Sequence, residues 1–155
     1  MTFQIYLFKI KTKFQGESIT MKSGVKIKKS LAFMSIFYIL AGTLHFVIPD
    51  FYMKIMPDYI PYHREMIYLS GLAEIILGFG LLTRNLMRIS AWGIIALLVA
   101  VFPANVYAYT NDALDLGVPK WALLLRLPLQ GILVYWAYIY AKKDSAPYHI
   151  PPLDR

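Results

Sequence analysis

Five polar side chains interrupt the long apolar runs of this sequence, and they are its candidates for binding a ligand or transferring a proton. Glu74, Arg126 and His45 are ionisable, and Asn105 and Gln130 carry amides. A charge at the centre of a membrane helix costs about 2.5–3.5 kcal/mol on the insertion scale, so such residues are functional candidates by default. These side chains could hydrogen-bond a polar ligand, exchange a proton with it, or pair with one another.

A stand-alone enzyme is not indicated. The sequence has no Cys, which excludes thiol catalysis, CxxC redox chemistry and haem attachment through CxxCH. It has no phosphate-binding loop and no metal-binding cluster. Only one of its three His, His45, lies in an apolar run, so neither a bis-histidine haem nor a metal site is expected. We predict no catalytic residue, no metal, and no cofactor held by the chain alone.

The composition is that of a membrane protein. The chain has 155 residues, of which 58% are hydrophobic and 16% charged. Soluble domains contain about 25% charged residues, and a soluble domain of this size could not bury so much apolar surface. Four runs, 30–48, 66–82, 89–109 and 121–140, have the roughly 17–25 residues that a helix needs to cross a bilayer. The predicted fold is all-α, an integral membrane four-helix bundle formed by residues 30–141.

The basic residues predict the orientation. Under the positive-inside rule, both termini lie in the cytoplasm, which makes 1–29 a basic cytoplasmic segment and 142–155 a cytoplasmic tail. Met21 is an alternative start of translation. The same Lys cluster is explained by topology and anionic lipid, so no nucleic acid is expected. Twelve basic residues fall on the inner side and three on the outer side: Lys9, Lys11, Lys13, Lys22, Lys26, Lys28, Lys29, Arg84, Arg88, Lys142, Lys143 and Arg155, against Lys54, Arg64 and Lys120.

With this topology the five polar residues share the outer half of the bundle. His45 and Asn105 lie three and four residues before the outer ends of the first and third spans. Glu74 and Arg126 lie roughly 12 and 8 Å into the second and fourth spans at 1.5 Å per residue, and Gln130 follows one turn deeper. The convergence predicts either a ligand pocket or a buried polar network.

These two interpretations differ in the role of one pair. Glu74 is the default counter-ion of Arg126, because it is the only carboxylate within a span. As a buried ion pair, the two would fix helix register, with Asn105 and Gln130 as polar contacts between helices. As a pocket, the same side chains would hold a ligand.

Glycines and prolines surround the same region. Gly71 and Gly78 flank Glu74 at helical spacing and would allow close helix packing, or make room for a ligand. Pro103 and Pro128 each remove a backbone hydrogen bond and are predicted to kink their helices. The outer loop, 49–65, is rich in aromatic and apolar residues, and it could act as a lid over the bundle or as a passive anchor at the interface.

Four short motifs follow one another along the spans: GTLHFVIP (42–49), SGLAEIILGFGLL (70–82), FPANVY (102–107) and RLPLQ (126–130). Together they resemble the DoxX-like family of small four-helix membrane proteins. The resemblance extends over all four spans and implies the same fold in the bacterial cytoplasmic (inner) membrane. The family is named after the small subunit of an archaeal thiosulfate:quinone oxidoreductase, and relatives are tied to respiratory or redox-defence complexes.

The resemblance implies that the protein is an accessory subunit of a quinone-linked or redox-defence complex. It would have a redox partner subunit and a quinone as ligand. His45, Glu74 and Arg126 could then hydrogen-bond a quinone carbonyl and pass a proton. One alternative is a module that binds or transports a lipid-like small molecule. A further alternative is a purely structural helix bundle.

Overall fold

In the computed structural model of the chain, residues 18–20, 26–111, 117–142 and 148–149 are described. Met21, most of the predicted N-terminal segment and most of the predicted tail lie outside these residues. The elements in chain order are β1 (Ser18–Thr20), β2 (Lys26–Lys28), α1 (Lys29–Val47), α2 (Pro49–Lys54), α3 (His63–Leu82), α4 (Met87–Thr110), α5 (Lys120–Ala141) and β3 (Tyr148–His149).

The four long helices confirm the predicted all-α bundle. α1, α3, α4 and α5 are each long and apolar enough to cross a membrane. Each begins and ends within three residues of a predicted span. Many large apolar side chains point away from the bundle, as lipid surroundings require of helices whose backbone groups are satisfied internally. The cytoplasmic placement of both termini stays a prediction.

Outside the bundle lies a small antiparallel sheet that the hydrophobic pattern did not indicate. Its strand order is β1-β2-β3. Ile27 in the central strand pairs with Ile19 on one side and with Tyr148 on the other. The three strands therefore bring segments before α1 and after α5 together at one end of the bundle.

α1 and α3 form the first tightly packed helix pair. A Cβ on Gly42 would lie 2.5 Å from the carbonyl oxygen of Gly71, so only glycine fits at this crossing. Further along, the Ser35 hydroxyl donates a 2.6 Å hydrogen bond to the carbonyl of Gly78, where a Cβ would meet Ile39 at 2.8 Å. Gly71 and Gly78 thus lie where the two backbones come closest, as small residues do in membrane helix interfaces.

α4 and α5 form the second pair, and α3 joins the two pairs by packing on α4. Pro103 and Pro128 lie inside these helices, which continue through them. Each proline lacks an N–H, so the backbone carbonyl four residues earlier loses its usual helical donor. A kink of the helix axis at either proline stays a prediction.

Two apolar clusters fill the ends of the bundle. The larger lies at the sheet end, where Tyr38 and Leu98 mark its inner limit towards the middle of the bundle. The smaller lies at the α2 end, where Ile55 packs with Ala108 and Leu123. The polar residues occupy the layer between these clusters.

Candidate functional site

A cavity of about 270 Å³ lies between the two helix pairs, in the half of the bundle that carries α2. It is bounded by Tyr38 and Leu98 on the side of the larger apolar cluster and by Tyr52 and Ile55 at the α2 end. The structure brings all five sequence-predicted polar residues to its wall: His45, Glu74, Asn105, Arg126 and Gln130.

The α1–α3 pair supplies one polar wall, made by His45 and Glu74. The His45 Nδ1 lies 2.9 Å from the carbonyl oxygen of Ala41. A carbonyl only accepts, so Nδ1 carries the hydrogen and donates it to Ala41. The carboxylate oxygen Glu74 Oε2 lies 3.7 Å from the same Nδ1, which is beyond hydrogen-bond distance. Glu74 is therefore near a potential cation without being hydrogen-bonded to it.

The α4–α5 pair supplies the opposite polar wall. The Asn105 amide nitrogen donates a 3.0 Å hydrogen bond to the side-chain oxygen of Gln130. The Gln130 amide nitrogen in turn donates to the backbone carbonyl of Leu98. These two bonds tie α5 to α4 at the level of the cavity, so both amides have a structural role as well as a place on the wall.

The expected ion pair between Glu74 and Arg126 is not formed. Among the described residues, the only carboxylate contact of this layer is that of Glu74 with His45. The physical reason is the arrangement of the helices. Glu74 belongs to the α1–α3 pair and Arg126 to the α4–α5 pair, and the cavity lies between them. The guanidinium instead lies over the ring of Phe51, with Cζ 5.7 Å from the ring centroid.

Three polar atoms at this cavity are buried without a hydrogen-bond partner: the Tyr38 hydroxyl, Glu74 Oε2 and Arg126 Nη1. They are the only such side-chain atoms in the part of the chain that the structure describes, and all three residues line the cavity. An unsatisfied buried polar group costs about 1–3 kcal/mol, and more when charged. Their convergence is what a site needs for a ligand that carries both acceptor and donor atoms.

The short helix α2 covers the α2 end of the cavity. The ring of Tyr52 stacks on the imidazole of His45, with centroids 3.9 Å apart and planes inclined by 19°. Burial raises the pKa of the Tyr52 phenol, and the negative charge of Glu74 raises it further, whereas Arg126 lowers it. The phenol therefore remains a neutral group that can donate a hydrogen bond.

Three cavity residues with polar side chains, Tyr38, Tyr52 and Ser70, are not among the residues predicted from the sequence. Tyr38 lies seven residues before His45, on the same face of α1, so helical spacing alone could have placed it in the set. Tyr52 belongs to the apolar outer loop, and no sequence pattern shows that this loop folds back onto His45. Ser70 also lines the cavity, but its hydroxyl donates to the carbonyl of Ile67, 2.8 Å away.

The donor set of the cavity suits an organic ligand better than a metal ion. Within the described residues, no three His, Asp or Glu side chains come close enough to hold a metal. Arg126 offers N–H groups only, Glu74 offers a carboxylate, and Tyr38 can both donate and accept. A molecule with a carbonyl or carboxylate at one position and a hydroxyl at another would satisfy all three.

Fold and cavity together define a small integral membrane protein with four candidate membrane-spanning helices around an internal polar cavity. Residues 34–141 match the family described as Domain of unknown function (DUF8561), and the chain belongs to this family. Comparison with curated proteins and with solved structures finds no match. The matched residues include every residue that lines the cavity.

Proposed function

We propose that this protein binds the polar head of a small membrane-soluble amphiphile in the cavity. The observation that carries the proposal is that the three unpartnered buried atoms belong to Tyr38, Glu74 and Arg126, which all line one cavity. A cavity of about 270 Å³ lies just below the roughly 300–1,000 Å³ of typical ligand pockets. It therefore suits a single ring or a single head group, with the rest of the molecule outside.

A quinone is the ligand class that the opposed walls suit best. A quinone carbonyl accepts a hydrogen bond from Arg126, and the hydroxyl of the reduced quinol donates one to Glu74. Because the chain has no Cys and no redox centre is indicated, electrons would have to come from a partner. The resemblance to the DoxX-like family supports this role, an accessory subunit of a quinone-linked or redox-defence complex in the bacterial cytoplasmic (inner) membrane. The excess of basic residues on one side supports cytoplasmic termini.

A second candidate is binding or transport of a lipid-like molecule with an anionic head. It is favoured by one observation, the buried Nη1 of Arg126, which has no hydrogen-bond partner and no carboxylate partner. Arg binds planar carboxylates in a bidentate manner. A fatty acid would satisfy this cation without any redox partner, so the presence of a copurifying redox subunit separates the two candidates.

A purely structural bundle is disfavoured by the same geometry. An ion pair that fixed helix register, a register lock, would satisfy its own buried charges. Here the charged atoms of Glu74 and Arg126 lack hydrogen-bond partners. Two buried charges without partners would destabilise the bundle and would not fix the register of its helices.

The experiment is identification of bound molecules in protein purified in mild detergent. We would record its visible spectrum, extract it, and identify small molecules and copurifying chains by mass spectrometry. The test variant is Glu74→Gln with Arg126→Gln, and the matched control is Arg64→Gln, which removes an exposed cation outside the cavity. We expect wild type and control to retain a quinone or lipid and the folded test variant to lose it. Wild type without any bound molecule would contradict the proposal.

A further inference from the structure

We propose that the ligand carries an apolar tail that leaves the cavity sideways between α1 and α5, so that the site is loaded from within the bilayer. This inference rests on the proposed function, since it needs a head group in the cavity. It adds the route by which the ligand enters the cavity and the apolar tail that the ligand carries. The site would take a head with a single chain and would not be filled from the aqueous side.

The packed helices follow each other in the order α1, α3, α4, α5, and the α1–α5 seam that would close this ring is not tightly packed in the part of the chain that the structure describes. Backbones come close between α1 and α3, between α4 and α5, and between α3 and α4. α1 and α5 are not among the closely packed pairs in the part of the chain that the structure describes. A four-helix arrangement with three packed seams leaves the fourth as the natural side opening.

Two side chains connect the cavity with the lipid face at this seam. Phe37 on α1 and Leu129 on α5 both line the cavity. Both are also among the exposed large apolar side chains, with exposed fractions of 37% and 48%. Ala41 and Leu133, one turn away from each, line the cavity too. All four are apolar, so the edges of the opening match an alkyl or isoprenoid chain.

The opening lies at mid-depth because the seam is closed at the sheet end. There the Trp136 indole N–H donates a 2.9 Å hydrogen bond to the Ser30 hydroxyl, and the Trp136 ring lies 5.8 Å from that of Phe33. Phe37 lies eight residues into α1, about 12 Å from its start, and Leu129 lies twelve residues before the end of α5, about 18 Å away. Both positions fall near the middle of the bilayer.

Three other routes out of the cavity are obstructed by contacts already described. The α1–α3 seam is held by the contact of Gly42 with Gly71, which leaves no room even for a methyl group. The α4–α5 seam is bridged by the bonds from Asn105 to Gln130 and from Gln130 to the carbonyl of Leu98. The α2 end is covered by the stack of Tyr52 on His45.

The test is photo-crosslinking of the full chain in lipid nanodiscs. Two probes are used, a benzoquinone with a ten-carbon tail and a ten-carbon carboxylic acid, each carrying a diazirine four carbons from the head. Crosslinking that disappears when excess unlabelled compound with the same head is added is specific, and we call it competed label. Its positions are mapped by peptide mass spectrometry. We expect the competed label of at least one probe on the edges of the α1–α5 seam, at Phe37, Ala41, Leu129 or Leu133.

Two other outcomes separate the inference from the proposed function. Competed label on the α4–α5 surface, at Val99, Phe102 or Leu127, or at the α2 end on Met56, would overturn the side route and leave head-group binding intact. No competed label with either probe, or label unaffected by Arg126→Gln, would overturn the proposed function and the route together.

A substitution pair gives an independent measurement. Leu129→Trp places a large ring in the opening, whereas Ile132→Trp adds the same ring to a position on α5 that is 62% exposed and does not line the cavity. We expect Leu129→Trp to weaken binding of the tailed probe by about tenfold and Ile132→Trp to leave it unchanged. Equal binding by the two variants would contradict the route.

Discussion

The Tyr52 ring stacks on the His45 imidazole, with centroids 3.9 Å apart, and so joins the short helix α2 to the membrane helix α1. The His45 Nδ1 is at the same time held by the Ala41 carbonyl at 2.9 Å, which fixes the plane on which Tyr52 lies. Tyr52 and His45 both line the cavity. The contact therefore determines whether the cavity is covered at its α2 end.

Removing the Tyr52 ring is expected to uncover the cavity. Aromatic pairs contribute about 0.5–1.5 kcal/mol beyond area burial, so we expect Tyr52→Ala to speed ligand dissociation by about two- to tenfold. Tyr52→Phe keeps the stack and is the matched control. Dissociation would be measured with the tailed benzoquinone in nanodiscs. Wild-type dissociation from Tyr52→Ala would show that α2 is a passive anchor.

Exchanging the charges of Glu74 and Arg126 is not expected to restore binding. No ion pair joins Glu74 and Arg126. The double change Glu74→Arg with Arg126→Glu should therefore not restore the ligand binding that either single change loses. Arg126→Met should retain or raise the thermal unfolding temperature in detergent, because it removes an unsatisfied buried group worth about 1–3 kcal/mol, and it should lose the ligand. A register lock predicts the opposite, a loss of about 3–5 kcal/mol on breaking the pair and rescue by the exchange.

A methyl group at the α1–α3 crossing is expected to destabilise the bundle. A Cβ on Gly71 would lie 2.6 Å from the Cβ of His45, and overpacking of this kind costs about 1–3 kcal/mol. Gly131 on α5 is the matched control, since a Cβ there meets nothing within 4 Å. Gly131→Ala should be neutral or stabilise by up to about 1 kcal/mol, the usual helical preference for Ala. Thermal unfolding of both variants checks the contrast, and equal midpoints would show that the crossing tolerates Ala.

The orientation of the bundle is open to a direct test because the chain has no native Cys. Tyr59, between α2 and α3, is 73% exposed, and Leu86, between α3 and α4, is 49% exposed. With cytoplasmic termini, Tyr59→Cys should react with a membrane-impermeant maleimide added to intact cells. Leu86→Cys should react only after the cells are opened. The reverse pattern would overturn the predicted topology.

The helices and the depth of the polar residues within them could both be predicted from the sequence. Apolar runs long enough to cross a bilayer must be helical, because lipid offers no partner to a backbone N–H or C=O. Position along a run then gives depth, which is why His45, Glu74 and Arg126 could be assigned to one layer before any contact was known. The assignment of Gly71 and Gly78 to helical faces followed from the same periodicity.

The contacts between the polar side chains depend on how the helices pack and could not be predicted from the sequence. Depth along a helix says nothing about the order of helices around the bundle. The sequence therefore predicts a pair between Glu74 and Arg126. In the structure α1 and α3 pack together and bring Glu74 to His45 instead. The fold of α2 onto the bundle, which adds Tyr52, depends on a loop without periodicity. The cavity itself is a gap between two helix pairs, and its existence depends on packing distances that no spacing of residues along one chain can specify.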